Sequence, residues 1–181
     1  MRKIVVSTYA TLNGVIENPQ DWSFDYFDEE AAKFASDQLF AADALLLGRE
    51  TYESFAQAWP SRSDAFADRI NGMDKYVVST TLKEPLEWGP AKLINENVAE
   101  EIAKLKQQPG QDILVYGTGR LAHTLLQHDL LDEHRLWVIP VIWSSGKRVF
   151  EGMDSLKLEL VDSKTLPSGT VILTHRRAAQ A

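Results

Sequence analysis

The sequence predicts an α/β domain with a mainly parallel sheet flanked by helices and closed by a C-terminal antiparallel hairpin. Three observations predict it. Short apolar runs rich in β-branched residues alternate with segments of helical period. Two of those runs stop at glycines, Gly48 and Gly117, the arrangement of buried parallel strands feeding tight turns. Near the carboxyl end, Leu156–Val161 and Thr170–His175 alternate in polarity around Pro167-Ser168-Gly169, which reads as a hairpin.

The elements follow in order. Ile4–Thr8 is the first strand, ending in a loop at Asn13-Gly14 that runs through Pro19 to Trp22. Phe27, Ala31, Phe34, Ala35, Gln38 and Leu39 keep the helical period, and Asp28, Glu29 and Glu30 stand where the helix dipole favours anions, with Asp28 as the cap. Ala44–Leu47 is a strand closed by Gly48, and the polar segment after it begins at Arg49. Ser61 is placed to cap a short helix reaching about Asn71, and Lys75–Thr80 is the next strand. Asn97 with Glu100 resembles a capping box for a helix carrying Ile102 and Leu105, stopped by Pro109-Gly110. Ile113–Tyr116 is a strand that runs into Gly117-Thr118-Gly119, and Leu121, Ala122, Leu125 and Leu126 have the spacing of a helix. Arg135–Trp143 is a further strand, apolar at nearly every position, so it suits either a central strand or a subunit contact.

Composition narrows the function. A chain of 181 residues with 44% hydrophobic and 25% charged residues suits one globular domain. There is no cysteine, which excludes disulfides, thiolate metal sites and a cysteine nucleophile. The apolar runs are too short to span a bilayer and the amino terminus lacks a signal-peptide pattern, so a cytoplasmic location is expected. A net charge of −7 without a Lys/Arg cluster argues against long nucleic acid. A single dinucleotide needs only a few arginines and backbone N–H groups. The four histidines lack metal-ligand spacing, and no metal is expected.

In open α/β sheets ligands gather beyond the carboxyl ends of the strands. Three segments fall there. Gly48-Arg49-Glu50-Thr51-Tyr52 offers a guanidinium that can fork onto phosphate, though a tight turn with a solvated arginine fits equally. Ser79-Thr80-Thr81 offers hydroxyls for a ribose or its 2′-phosphate, or is a capping turn. Gly117-Thr118-Gly119-Arg120 lets backbone N–H groups approach a pyrophosphate at a helix start.

Their joint order resembles the dihydrofolate-reductase-like family, and within it the reductase domain of the bifunctional riboflavin-biosynthesis deaminase/reductase. The resemblance runs through Thr11-Leu12-Asn13-Gly14-Val15-Ile16, Asp43–Gly48, Gly48–Tyr52, Ser79-Thr80, Gly117–Arg120, Leu130–Glu133, Pro140 and Gly146–Phe150. It implies NADPH as cofactor, a small heterocyclic acceptor and a homodimer to which Leu136–Trp143 contributes. It further implies cofactor contacts at Asn13, Gly14, Ile16, Trp22, Gly48, Arg49, Thr51, Ser79, Thr80, Gly117, Thr118, Gly119, Arg120 and Leu121, with Trp22 a lid over the nicotinamide. Asp25 is the candidate proton donor, by its place near the first helix. Two positions depart from the family pattern, in which a lysine and an acidic residue bind the phosphoribosyl substrate: Ser7 and Tyr116 stand there. The cofactor half of the resemblance is intact, and the acceptor is left open between that substrate class, a folate-type substrate and a non-catalytic nucleotide site.

Overall fold

The computed structural model describes residues 1–117 and 119–179. Its elements are β1 (Ile4–Thr11), α1 (Glu29–Phe40), β2 (Ala42–Gly48), α2 (Arg49–Ala58), α3 (Ala65–Gly72), β3 (Asp74–Val78), β4 (Ala91–Ile94), α4 (Val98–Gln107), β5 (Asp112–Tyr116), α5 (Arg120–Gln127), β6 (Glu133–Ile139), β7 (Leu158–Thr165) and β8 (Val171–Arg177). The strands form one sheet in the order β4-β3-β2-β5-β1-β6-β8-β7. Pairing is parallel from β4 to β6, while β8 runs antiparallel to β6 and β7 antiparallel to β8. The three strands whose ends carry the glycine turns, β2, β5 and β1, are therefore neighbours with their carboxyl ends on one side, as the sequence predicts.

Alternation along the strands divides the core into layers. Ile4, Val6, Leu46, Ile113 and Val115 point to one face and pack against Ile102 and Leu105 of α4 and Leu121 and Leu125 of α5. Val5, Leu45, Leu47 and Leu114 point to the other, under Leu39 of α1, Tyr52 of α2 and Ile70 of α3. Beyond β1 on that same face, Trp137, Ile139 and Ile172 pack against Ala31 and Ala35 of α1. Each fully buried aliphatic side chain here contributes about 1.5–3 kcal/mol.

Several boundaries differ from the sequence reading, each for a local reason. The segment after Gly48 is a helix: Tyr52, Phe55, Ala56 and Trp59 fall at helical spacing and pack on the sheet, a stripe masked by the polar residues between them. The helix after Pro60 begins later than Ser61, because Asp64 is the residue whose side chain accepts from Ala67 N–H at 2.8 Å. β3 ends at Val78 and is flanked by β4, a four-residue strand that the sequence reading lacked. Asn97 precedes α4 in the left-handed region, at φ 49°, and its side chain makes no capping bond. β6 begins at Glu133 and stops before Pro140, which has no N–H to continue the ladder. It lies between β1 and β8, with Trp137 and Ile139 buried, Leu136 and Val138 partly buried, and Ile142 beyond it exposed. Both strands of the last hairpin start later and end later than predicted, and β7 carries a register shift between Leu160 and Asp162. No helix among the described residues is long and apolar enough to cross a membrane.

Candidate cofactor and acceptor site

The helices do not begin alike. α1 and α3 have aspartate caps: Asp28 accepts from Ala31 N–H and Asp64 from Ala67 N–H, both at 2.8 Å. α2 and α5 start from Gly48 and Gly119, and among the described residues neither has a side-chain cap. The first N–H groups of a helix have no intrahelical acceptor and carry the positive end of its dipole, so an uncapped start has donors free for an anion. Open space accompanies them, since a Cβ added at either Gly48 or Gly119 would meet nothing within 4 Å. The two starts converge, for β2 and β5 are adjacent while α2 covers one sheet face and α5 the other. Gly117 makes the turn between them at φ 87°, a conformation that disfavours a side chain, and its missing Cβ would lie 3.5 Å from Thr51 Oγ1.

Two guanidinium groups stand at this crevice. Arg49 opens α2, half-exposed, and pairs with Glu53 at 3.1 Å and Glu50 at 3.8 Å on its own helix. Arg120 opens α5 and is exposed. Gly48 is the register partner of Val78, so Arg49 and Ser79 leave neighbouring strand ends side by side. Two free helix starts, two arginines and glycines that leave the backbone open fit the phosphates of a dinucleotide.

Other predicted contacts carry structural roles of their own. Ser79 is a capping turn, because its hydroxyl accepts from Thr81 and Leu82 N–H, each at 3.1 Å; Thr80 beside it is exposed. Asn13 ties the loop after β1 to the chain after β6, its side chain donating to Trp143 O at 2.8 Å and accepting from Trp143 N–H at 3.1 Å. Gly14, at φ 89°, and Ile16, whose N–H donates to Lys147 O, shape the same loop. Trp22 is not a free lid: it is 5% exposed, packs in the core, and donates from its indole N–H to Glu17 O at 3.0 Å. Leu121 is buried on the sheet, leaving only its backbone toward the crevice. Asp25 is exposed on a short 3-10 turn, Phe24–Tyr26, outside the contacts of the site. Thr118 lies outside the described residues.

A polar cluster on the α1 face was not foreseen as a unit. Ser7 on β1 is the register partner of Tyr116 on β5 and of Arg135 on β6. The Ser7 hydroxyl accepts from Gln38 Nε2 and from Trp137 Nε1, both at 3.1 Å. Gln38 Oε1 and the Tyr116 hydroxyl are buried with no hydrogen-bond partner among the described residues. Tyr9 packs edge-on against Trp137, with ring centroids 5.0 Å apart, and Phe55 of α2 lies 5.5 Å from Tyr116. Burial pushes the Tyr9 phenol up to about 12, and burial reinforced by Tyr9 raises that of Tyr116 further, so both are neutral donors. The advance signals were Gln38, a polar side chain in the otherwise apolar stripe of α1, and Ser7 and Tyr116 as departures from the family pattern.

Residues 2–172 match the RibD C-terminal domain family. The chain is 31% identical over 180 residues to the uncharacterized protein YyaP of Bacillus subtilis (strain 168), covering 96% of this chain and 94% of the relative. Among solved structures it resembles a candidate riboflavin biosynthesis protein from Shewanella sp. PV-4, with TM-score 0.77 and 21% identity over 98% of this chain and 99% of the other. It also resembles the diaminohydroxyphosphoribosylaminopyrimidine deaminase/5-amino-6-(5-phosphoribosylamino)uracil reductase of Thermotoga maritima, with TM-score 0.71 and 14% identity, over 98% of this chain and 57% of that longer one. At these identities the solved structures speak for the fold, which is the dihydrofolate-reductase-like arrangement that the sequence predicts.

Proposed function

Because the chain belongs to the RibD C-terminal domain family and has its reductase fold, we propose that it is an NADPH-dependent oxidoreductase acting on a small heterocyclic acceptor. The observation that supports this most is the pair of uncapped helix starts at Gly48 and Gly119, which flank one crevice beyond adjacent strands. In this reading the first N–H groups of α2 and α5 hold the phosphates, Gly117 lets them approach, and Arg120 adds charge at the second start. Arg49 turns from Glu53 to the 2′-phosphate that distinguishes NADPH from NADH. Bound there, the nicotinamide supplies hydride to an acceptor placed against it. The chain orders the two reactants and shields them from water, with Tyr9 and Tyr116 as neutral phenols beside the acceptor.

Loss of reduced-nicotinamide absorbance with pteridines, pyrimidines and quinones as acceptors tests the reading. Turnover with at least one acceptor, and a preference for NADPH over NADH, is expected. Tight NADPH binding without turnover across the panel would leave a nucleotide-binding protein and remove the oxidoreductase; no binding would remove the whole reading. A homodimer belongs to the same proposal, and a monomer mass in light scattering at micromolar concentration would exclude it.

A further inference from the structure

Lys75 on β3 is only 1% exposed, and burying an ammonium is unfavourable unless its donors are all met. Its Nζ donates to the carbonyls of Asn71 and Met73, both at 2.8 Å, and of Gly89 at 3.4 Å, so three donors meet three backbone acceptors and no carboxylate. The ring of Trp88 covers it, with Nζ 4.3 Å from the centroid. One ammonium thus gathers the end of α3, the approach to β3 and the segment that precedes β4. Trp88 passes the tie on to α2. Tyr52, in the first turn of α2, accepts from Trp88 N–H at 2.8 Å and donates to Trp88 O at 3.3 Å. Trp88 Nε1 donates to Asn71 Oδ1 at 2.8 Å, and Asn71 Nδ2 donates at 3.0 Å to the carbonyl of Trp59, the residue that closes α2. A single buried network therefore holds α2 at its first turn and at its last.

We propose that Lys75 is a positioning residue for the dinucleotide: its ammonium locks Trp88, and Trp88 through Tyr52 sets where the first turn of α2, with its free N–H groups and Arg49, stands at the crevice. Apolar packing holds the helix on the sheet but is non-directional, whereas a helix start that meets a phosphate must be placed to within about 0.5 Å. The two bonds between Tyr52 and the Trp88 backbone supply that direction. Methionine would fill much of the Lys75 volume with no charge to desolvate, so what the ammonium adds is geometry, three carbonyls drawn to one point. This inference rests on the reading of the α2 start as a phosphate site, while the network that holds α2 stands apart from it.

Titration of the whole protein with NADPH at pH 7 and pH 9, with melting temperatures at both, tests the assignment. Burial lowers the Lys75 amine to about 8, against a smaller opposing effect of Asp74, its chain neighbour; its register partners, Leu45 and Ala91, are uncharged. The folded chain holds this proton less tightly than the unfolded one, so the contribution of Lys75 to stability is present above the unfolded value, near 10.4, and is lost as pH falls through the folded one. Positioning has the opposite sign, because a neutral amine has two donors for three carbonyls, and a 2′-phosphate fully ionised well above about 6 keeps its charge between the two pH values. NADPH should therefore bind the wild type roughly threefold more weakly at pH 9 than at pH 7, while the melting temperature is kept or raised. Tyr52→Phe keeps the ring against Trp88 and cuts both bonds, so it should weaken NADPH roughly threefold to tenfold at pH 7 and remove the difference between the two pH values. Lys75→Met should do the same, and if it does not fold, Tyr52→Phe and the wild-type profile decide. Wild-type affinity that is flat or rises with the melting temperature, or unchanged NADPH affinity in Tyr52→Phe, overturns the inference. If the wild type binds no NADPH at either pH, the cofactor reading falls, and hydrogen exchange then tests the network: the amides of Glu53 and Phe55 should exchange roughly tenfold faster in Tyr52→Phe, and equal rates overturn the tie as well.

Discussion

α1 and α3 begin with aspartates whose carboxylates accept from the third residue on, while α2 and α5 begin with glycines that cap nothing. All five helices need partners for their first N–H groups, yet among the described residues side chains are supplied only to α1 and α3; α4, whose Asn97 makes no capping bond, starts after the edge strand β4. The difference follows position. Asp28 follows β1 only after a long loop and Asp64 follows α2, so neither stands directly at the strand ends. Gly48 and Gly119 follow those ends directly, where the sheet brings β2 and β5 together. A cap adds stability where a helix start has no other task, and a start without one has donors left for a ligand.

Converting one kind of start into the other breaks the comparison most severely. Gly48 and Gly119 have extended backbone, at φ −76° and −89°, and open space, so aspartate fits either position without strain. Gly119→Asp and Gly48→Asp should leave thermal stability equal or raised by a few tenths of a kcal/mol. Each should weaken NADPH on the order of a hundredfold, because a carboxylate occupies the N–H groups and repels the phosphates. Retained affinity in both variants would show that these starts do not hold the cofactor.

Removing a side chain at the same crevice has a smaller effect. Arg49→Ala should weaken NADPH roughly tenfold and NADH much less, the value of one charge-assisted contact for a guanidinium that must first leave Glu53. Equal losses for both dinucleotides would mean that Arg49 does not read the 2′-phosphate.

At the capped starts the effect should fall on stability alone. Asp64→Ala should lower unfolding free energy by about 1 kcal/mol in denaturant titration and leave NADPH affinity unchanged. Acid should act through the other cap. Asp28 accepts from Ala31 and Ser168 N–H, and these bonds hold its carboxyl below the ordinary range. Its contribution is therefore present above the unfolded value, near 4, and is lost as pH falls through the lower folded one. Asp28→Asn should flatten that part of the acid profile, and an unchanged slope would assign the loss to other groups.

That β1, β2 and β5 are neighbours was legible because each carries a short apolar or β-branched run ending in glycine or a turn, a pattern set by burial. Asp28 as a cap was legible for the same kind of reason: one residue type at one position has one local use. α2 was not, since Arg49–Ala58 is polar on average and only Tyr52, Phe55 and Ala56 carry its buried stripe. β4 was not, because four residues between Pro90 and Asn95 are too few to show a period. Within the candidate site, Gly48, Gly117 and Gly119 could be read from their place after strands. Ser79 could not, because whether its hydroxyl faces a ligand or the next two N–H groups depends on the turn that follows. Ser7 and Tyr116 stood out in the sequence only as departures. That Ser7 bonds Gln38 and stands in register with Tyr116 required the pairing of β1 with β5 and the helix above them.

Backbone amide shifts on NADPH addition, read residue by residue in a nitrogen-15 labelled sample, test the difference between the helix starts in one titration. The amides of Arg49, Glu50, Arg120 and Leu121 should move together and saturate at one affinity, while those of Glu30, Ala31, Phe66 and Ala67 at the aspartate-capped starts stay in place. Shifts at the capped starts with none at Gly48 or Gly119 would contradict the assignment of the crevice to the dinucleotide.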